Sequence, residues 1–210
     1  VLIVGNHDTP AAFGKATSLD IFGELELDNT HVMRKPELIT IETLHGPVQI
    51  AGLPWPTRNL LRTHAEYKNL SQQDLSAQIQ AICAEQINEF ARQLDPTVPA
   101  ILTAHIAASD ATYSGSERTA LIGQDPTLLT STLSNPSFDY VALGHIHKYQ
   151  DLHKGSMPPV VYSGSLERID FGEEHETKGF VIGSIDIEHN NSLKRTTRFE
   201  FIPVAARSFI

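Results

Sequence analysis

Three short apolar segments, each followed at once by a polar side chain, constrain the fold most strongly. The segment VLIVG precedes Asn6, AILTA precedes His105, and YVALG precedes His145. Short apolar runs of this kind are typical of buried strands. Ligand sites of α/β sheets gather at the carboxyl ends of the strands, so the three polar side chains are predicted to converge on one site.

The remaining hydrophobic pattern predicts an α/β fold with two packed sheets and helices outside. The strongest helix prediction covers Ser71 to Leu94, where a capping box at Ser71 and Asp74 precedes an apolar face. Shorter helices are expected at 13–23, near Arg58 and at 126–134, and a surface loop at 109–126. Strands are expected at 37–43 and 48–53 as a hairpin, and at 100–107, 140–144, 160–162, 180–187 and 196–204.

Composition narrows the class of protein. A chain of 210 residues, 40% of them hydrophobic, supports one domain with a substantial core or two small domains. The chain lacks an apolar run of about 18 residues, so a soluble protein without a membrane span is expected. The net charge of −9 argues against a broad surface that grips phosphates by itself. The single cysteine, Cys83, is predicted to be an inert buried thiol, which fits a reducing cytoplasm.

The polar residues at the strand ends support two interpretations. Taken singly, His105 is typical of a hydrogen-bonded structural histidine, and Asn6 to Asp8 of a simple turn. His145 and His147 form a His-x-His pair, which occurs by chance in many proteins. Taken together, the repeated pattern of a strand followed by an Asn or a His favours a metal site. An extended chain would place His145 and His147 on one face, where they could bind the same or adjacent ions.

GNHD at 5–8, the histidine at 105 and GHIH at 144–147 resemble the later motifs of the calcineurin-like metallophosphoesterases. Two further segments, SGSLERIDFGEE (163–174) and KGFVIGSID (178–186), are similar to members that serve as nuclease subunits in bacterial DNA double-strand-break repair. The resemblance implies a two-sheet sandwich flanked by helices (α/β/β/α). It also implies a nuclease domain at 1–198 and, at 199–210, the start of a link to a DNA-binding cap.

The resemblance implies a role for each matching residue. Asn6, His105 and His145 would bind one metal ion of a pair and His147 the other. His7 would face the scissile phosphate, as a general acid or as a stabiliser of developing charge. Two such cations clamp the attacking and leaving oxygens, and Mn²⁺ suits mixed nitrogen and oxygen ligands. Asp8 could orient His7 or a loop amide, and Arg168 could approach phosphate or pair with Glu167 or Asp170.

The family's two earlier motifs, an Asp-x-His and a Gly-Asp segment, do not occur in this sequence. The fold is therefore expected to be N-terminally incomplete. The four matching ligands are all neutral, and hard cations bind poorly without carboxylate oxygens. We expect this chain alone to hold at most one ion, such as Zn²⁺ or Ni²⁺, and to be inactive. An unpaired sheet edge would also favour self-association.

The implied activity is exonuclease and endonuclease cleavage of double-stranded DNA ends and hairpins in repair, recombination and replication. DNA and an ATPase subunit are the implied partners, in a homodimer or heterotetramer. Two alternatives remain open: a metallophosphatase or cyclic-nucleotide phosphodiesterase of the same superfamily, and a noncatalytic scaffold. The other histidines are expected to be solvated at the surface; they are His31, His45, His64, His153, His175 and His189.

Overall fold

The computed structural model describes residues 1–8, 18–25, 27–57, 70–114, 126–190 and 192–209. Its strands are β1 (Leu2–Ile3), β2 (Val32–Met33), β3 (Glu37–Thr43), β4 (Gly46–Leu53), β5 (Ala100–His105), β6 (Ala107–Ala108), β7 (Thr127–Leu128), β8 (Tyr140–Gly144), β9 (Gln150–Asp151), β10 (Val160–Tyr162), β11 (Gly179–Asn190) and β12 (Ser192–Pro203). Its helices are α1 (Asp20–Glu24), α2 (Gln72–Gln93), α3 (Thr130–Leu133) and a 3₁₀ turn at Phe171–Glu173.

A six-stranded sheet in the order β3-β4-β5-β8-β10-β9 forms the centre of the fold. The strands β4, β5, β8 and β10 are parallel, whereas β3 and β9 pair antiparallel at the two edges. The register pairs Leu53 with Ala104 and His105 with Gly144. Three parallel strands therefore end side by side, and the residues that follow them meet at one edge of the sheet.

The long helix α2 covers one face of this sheet. Ser71 caps it, because its side-chain oxygen accepts a hydrogen bond from the backbone N–H of Asp74. The helix buries five side chains: Leu75, Ile79, Cys83, Ile87 and Phe90. Each fully buried Leu, Ile or Phe contributes about 2 kcal/mol. Ile82 was predicted on the same face, but it lies at the margin of the buried face of the helix and is 40% exposed.

The β11–β12 hairpin lies over the other face of the sheet. Tyr140 and Phe199 pack edge to face with their ring centroids 5.8 Å apart. The carboxylate of Asp139 accepts a hydrogen bond from Ala100 N at 2.8 Å and pairs with Arg195 Nε at 2.7 Å. Between hairpin and sheet runs a groove of about 580 Å³, lined by Ile101 and Ile185 among others. The hairpin thus forms a second β layer, fixed to the sheet by a buried ion pair.

The α/β architecture predicted from the sequence is confirmed, with differences at the boundaries. The segment 126–134 begins as β7 and becomes helical only at Thr130. The strand predicted at 100–107 ends at His105, and Ala107–Ala108 pairs with β7 instead. The strand predicted at 196–204 corresponds to β12, which begins earlier, at Ser192, and ends at Pro203.

Other predictions fall wholly or partly outside the described residues. These are the helix near Arg58, the first part of the helix at 13–23, and most of the loop at 109–126. Among the helices that the structure describes, none combines the length and the hydropathy that a membrane crossing requires.

Candidate metal centre

Four predicted ligands lie where the strands end, and we call them the polar edge: Asn6, His105, His145 and His147. Asn6 follows β1, which pairs in parallel with β2. His105 is the last residue of β5, and His145 directly follows β8. His147 lies two residues farther along the same loop. The parallel register of β5 and β8 brings His105 and His145 together, and Asn6 joins them from β1, which lies outside the six-stranded sheet.

Asn6 and His105 are in direct contact. The Nε2 atom of His105 lies 2.9 Å from Oδ1 of Asn6, although the two residues are 99 positions apart in the sequence. Two glycines, Gly5 and Gly144, lie against the same imidazole ring. The backbone therefore approaches the ring of His105 too closely for a side chain at position 5 and leaves little room for one at position 144.

His145 adopts a backbone conformation that costs energy. Its φ angle is 103°, in the left-handed region that residues other than glycine rarely adopt. Residues held in such conformations cluster at functional sites, where the surrounding structure offsets the strain. The ring centroid of His145 lies 5.4 Å from that of His105. The strained turn directs the second imidazole toward the first.

Trp55 packs against both of these histidines. It follows β4, and its ring centroid lies 4.8 Å from that of His145 and 5.9 Å from that of His105. The sequence analysis did not identify Trp55. The available indication was its position two residues after the end of a predicted strand, close to where the same rule identified the polar edge. Trp55 shields one side of the two imidazoles from water.

Burial keeps both of these histidines neutral. Desolvation lowers the pKa of His105 from 6.5 to about 4; the charge of Asp8 opposes this shift, while His7 and His147 reinforce it. Desolvation likewise lowers the pKa of His145 to about 4, with further lowering by the neighbouring histidines. Neutral imidazole is the form that binds metal ions. Both rings are therefore in a metal-binding protonation state at neutral pH.

His147 is bound to a buried acidic residue that the sequence analysis also missed. Its Nδ1 atom lies 2.8 Å from Oε1 of Glu173, whose second oxygen pairs with Lys178 at 2.8 Å. Burial opposes the ionisation of Glu173, but hydrogen bonds from Lys178 and His147 outweigh it, so the pKa of the Glu173 carboxyl is lowered. Both partners lie in the segment 163–186, for which the sequence analysis noted only a resemblance.

His7 and Asp8 occupy the turn between Asn6 and the next described residues. His7 is exposed. The carboxylate of Asp8 accepts hydrogen bonds from Gly5 N and Ser18 Oγ, each at 2.8 Å. Asp8 therefore orients a loop amide, which is one of the roles that the sequence analysis considered, and it fixes the turn that carries Asn6 and His7.

The contacts of Arg168 are with backbone groups of the protein. Its guanidinium group donates hydrogen bonds to the backbone carbonyls of Ala206, Arg207 and Glu176. Glu167, which the sequence analysis considered as a partner of Arg168, instead accepts hydrogen bonds from Arg207. Arg168 thus connects the residues after β12 to the segment that carries Glu173.

Two of the predicted surface histidines are half-buried and paired, so the prediction is wrong for them. His31 pairs with Glu37 at 3.2 Å, and His153 donates a hydrogen bond to the carbonyl of Pro158 at 2.7 Å. His45 and His175 are exposed, as predicted. His64 and the side chain of His189 fall outside the described residues.

The donor set at the polar edge fits part of a metal site. With ligand distances of about 2.0–2.2 Å, two ligands of one ion lie about 3 Å apart, and Asn6 Oδ1 and His105 Nε2 are 2.9 Å apart. Within the described ranges, however, no three His, Cys, Asp or Glu side chains are grouped so that they could hold an ion. The residues therefore fit a partial, carboxylate-poor site, with the amide of Asn6 as its oxygen donor.

Curated SbcD proteins of SbcCD nucleases resemble this chain. The protein from Staphylococcus epidermidis is 26% identical over 204 residues, which is 97% of this chain and 49% of the relative. The proteins from Rhodobacter capsulatus and Escherichia coli K12 are 28% and 29% identical, over 83% and 85% of this chain and 45% and 44% of their own lengths.

The chain is similar to the SbcD proteins of SbcCD nucleases. It spans about half the length of the SbcD relatives that it matches. The similarity to the Staphylococcus epidermidis SbcD protein covers nearly all of this chain. No family model matches the chain.

Proposed function

We propose that this chain forms much of the nuclease domain of an SbcD-like, metal-dependent DNA nuclease. The proposed reaction is phosphodiester hydrolysis at double-stranded DNA ends and hairpins, by exonuclease and endonuclease action. One observation carries the proposal: Asn6, His105 and the pair His145 and His147 lie at the ends of three strands, β1, β5 and β8, and these ends come together. They do so in a chain that resembles an SbcD protein over 97% of its length.

Within this proposal, Asn6, His105 and His145 hold one metal ion and His147 contributes to a second. The chemistry that such ions supply when bound is polarisation of a phosphate oxygen and a lowered pKa of a nearby water molecule. Mn²⁺ is the proposed ion of the complete protein. Trp55 excludes water from one side of the two buried imidazoles and keeps them neutral. The strain at His145 is offset by the packing of its ring.

His7 is the proposed catalytic residue. Its side chain is exposed, in a turn that Asp8 fixes through Gly5 N, so it is accessible to a bound phosphate. An imidazole there can donate a proton to the leaving oxygen or stabilise charge on it. In contrast to the partly buried His105 and His145, His7 is exposed to solvent.

The negative net charge of the chain determines which groups would have to supply positive charge for DNA binding. The chain carries 16 Lys and Arg residues against 25 Asp and Glu residues. A polyanion approaching this surface is repelled unless other groups supply positive charge. The proposal therefore assigns much of the DNA grip to metal ions, to a cap domain and to an SbcC-type ATPase subunit, within a homodimer or heterotetramer. A reducing cytoplasm is the proposed compartment.

Cleavage of linear double-stranded DNA in the presence of Mn²⁺ tests the proposal. The assay compares this chain with the same chain extended upstream by its own coding sequence, with and without His7→Gln. His45→Gln is the matched control, because it removes an exposed imidazole from the β3–β4 turn instead of the polar edge. We expect cleavage by the extended protein and by its His45→Gln variant. We also expect a loss of at least about 100-fold in His7→Gln, the smallest usual contribution of a general acid.

The substrate distinguishes the alternatives. A small phosphomonoester and a cyclic nucleotide are assayed beside the DNA. Hydrolysis of either one without DNA cleavage contradicts the nuclease proposal and favours the phosphatase or phosphodiesterase alternative. No hydrolysis of any substrate by the extended protein favours the scaffold alternative.

A further inference from the structure

A buried ion pair holds His147 at both its side chain and its backbone. We propose that Glu173 is a positioning residue for His147: it accepts a hydrogen bond from the Nδ1–H group, so that the ring presents the Nε2 lone pair to a metal ion. Lys178 completes the arrangement by holding Glu173 and the His147 carbonyl together. This inference rests on the proposed function, because it assigns a partner to one of the proposed ligands.

The side-chain contact determines the tautomer. Glu173 is fully buried, and its Oε1 lies 2.8 Å from Nδ1 of His147. Its Oε2 receives the ammonium group of Lys178 at 2.8 Å and the N–H of Ile169 at 3.1 Å. A carboxylate paired with an ammonium group is ionised and can only accept hydrogen bonds. The proton of a neutral His147 therefore resides on Nδ1, and the lone pair on Nε2.

The backbone of His147 is held independently. Its carbonyl accepts hydrogen bonds from Lys178 Nζ and from the N–H of Ser165, each at 3.0 Å. Gly164 lies directly beneath, with φ +77°, and a Cβ there would fall 2.6 Å from the His147 carbonyl oxygen. Lys178 thus connects the two ends of the residue, since the same ammonium group contacts the His147 backbone and the carboxylate that holds its ring.

The arrangement also supplies negative charge to a site whose own ligands are neutral. Lys178 pairs with both Glu173 and Glu176, so two carboxylates surround one ammonium group and leave a net charge of −1 beside His147. A carboxylate on the remote ring nitrogen raises the basicity of a metal-ligating histidine and fixes its orientation. The charge that the ligands lack is thereby provided one contact farther out.

Glu176 also pairs with Lys178, but none of its described contacts is with the imidazole of His147. Its Oε2 lies 2.9 Å from Lys178 Nζ, so Lys178 has a carboxylate partner without Glu173. Glu173 differs because its other oxygen, Oε1, contacts His147. The pair Glu173→Gln and Glu176→Gln therefore separates positioning of His147 from neutralisation of Lys178.

The first measurement needs no variant. The tautomer of His147 is read in the metal-free protein at pH 8 from the ¹⁵N chemical shifts of its imidazole, since an ordinary imidazole is neutral at that pH. We expect the proton on Nδ1. A proton on Nε2, or an imidazolium ring, overturns the inference. This result stands even if a variant fails to fold.

The variants add a directional test. In Glu173→Gln, Lys178 can only donate, so the amide oxygen faces Lys178 and the amide NH₂ faces Nδ1 of His147. We expect the His147 proton to move to Nε2 in Glu173→Gln and to stay on Nδ1 in Glu176→Gln. The midpoint for broadening of the His147 signals by Mn²⁺ should rise about 10–100-fold in Glu173→Gln. It should rise much less in Glu176→Gln, which loses one charge but keeps the contact between Glu173 and His147. Thermal unfolding of each variant verifies that it is folded.

Three results overturn the inference: an unchanged tautomer in folded Glu173→Gln, equal Mn²⁺ midpoints in the two variants, or no Mn²⁺ broadening of His147 in the wild type. None of these readouts measures DNA cleavage. If His147 behaves as expected but the extended protein cleaves no DNA, the proposed function fails and the positioning role stands. If DNA is cleaved while His147 carries its proton on Nε2, only the positioning role fails.

Discussion

Gly5 lies so close to His105 that a Cβ atom at position 5 would fall 2.7 Å from Cε1 of the imidazole ring. Backbone segments surround the ring and have little freedom to move. We expect Gly5→Ala to displace His105 from Asn6 and to lower the free energy of unfolding by about 1–3 kcal/mol, as overpacking in a core does. Urea unfolding followed by circular dichroism measures this loss.

Gly23→Ala is the control for this prediction. Gly23 is an exposed residue of α1, where the nearest atom to a new Cβ is 3.8 Å away. Alanine is favoured over glycine in a helix, so this change should leave stability unchanged or raise it by up to about 1 kcal/mol. Equal stability of Gly5→Ala and wild type would contradict the tight contact with His105.

The two buried histidines predict a loss of stability in acid. Desolvation lowers the pKa of His105 and His145 from 6.5 to about 4, so the unfolded chain binds protons that the folded chain does not. Stability is therefore full above pH 6.5, falls between pH 6.5 and 4, and stops falling from this cause below pH 4. Each histidine contributes a slope of at most about 1.4 kcal/mol per pH unit.

Urea unfolding at several pH values between 7 and 4.5 tests this slope. His105→Gln should reduce it, because one titrating group is removed. His45→Gln should leave it unchanged, because His45 is exposed in the β3–β4 turn. A stability that does not depend on pH in this window would show that the two imidazoles are not buried in the neutral form.

Cys83 is expected to be unreactive in the folded protein. Burial raises the pKa of its thiol to about 12, and the thiolate is the reactive form. Ellman's reagent at pH 8 should react slowly with the native chain and rapidly with the chain in urea. Cys83→Ala, which removes the single cysteine of the sequence, gives the background. Rapid stoichiometric reaction without urea would contradict the burial of this residue on the inner face of α2.

Two ion pairs on the hairpin should differ strongly in their contribution to stability. Arg195 is largely buried against Asp139 and also donates hydrogen bonds to the carbonyls of Pro96 and Val98. Arg195→Met leaves Asp139 buried without its cation, and we expect a loss of about 3–5 kcal/mol. Thermal and urea unfolding measure this loss.

Arg198→Met is the matched change in an exposed pair of the same hairpin. Arg198 pairs with Asp186 in water, so its loss should cost about 0–1 kcal/mol. If the two variants are equally stable, the Asp139–Arg195 pair does not fix the hairpin to the sheet.

Trp55 provides an optical readout of the polar edge. It is the single tryptophan of the sequence, and it contacts the rings of His105 and His145. We expect Zn²⁺ to change its fluorescence with a stoichiometry of no more than one ion per chain. Asn6→Ala should weaken this binding by about tenfold or more, since even a lost outer partner of a ligand costs that much. An unchanged affinity in Asn6→Ala would exclude Asn6 as a ligand.

The sequence predicted those parts of the fold and site that depend on local pattern. The apolar face of α2 and the alternation of β3 and β4 follow from helical and strand periods, so their bounds agree with the structure within two residues. The contact of Asn6 with His105 agrees with the repeated pattern of a strand followed by a polar residue, although β1 lies outside the six-stranded sheet that contains β5. Ile82 was misassigned, because the helical period identifies the apolar face of α2 but not which margin of that face contacts the sheet.

Contacts between remote segments were not predictable. Glu173 lies 26 residues beyond His147, in a segment without a recognisable period. A Glu in an acidic stretch of this kind is typical of a solvated surface. The charge of Glu173 is balanced by Lys178, and their contact is a tertiary feature. His31 and His153 were misassigned for a different reason: their partners, Glu37 and Pro158, are close in sequence, but neither pairing follows from a helical or strand period.

The contact between Asn6 and His105 also bears on how any occupant of the polar edge would be detected. A ligand that bridges Asn6, His105 and His145 would act as a reversible cross-link between three remote parts of the chain. Its binding free energy would add to the stability of the entire sheet, in proportion to the logarithm of its concentration. Occupancy of the edge should therefore raise the melting temperature of the whole fold, and a thermal-shift screen of cations would find a ligand without any substrate.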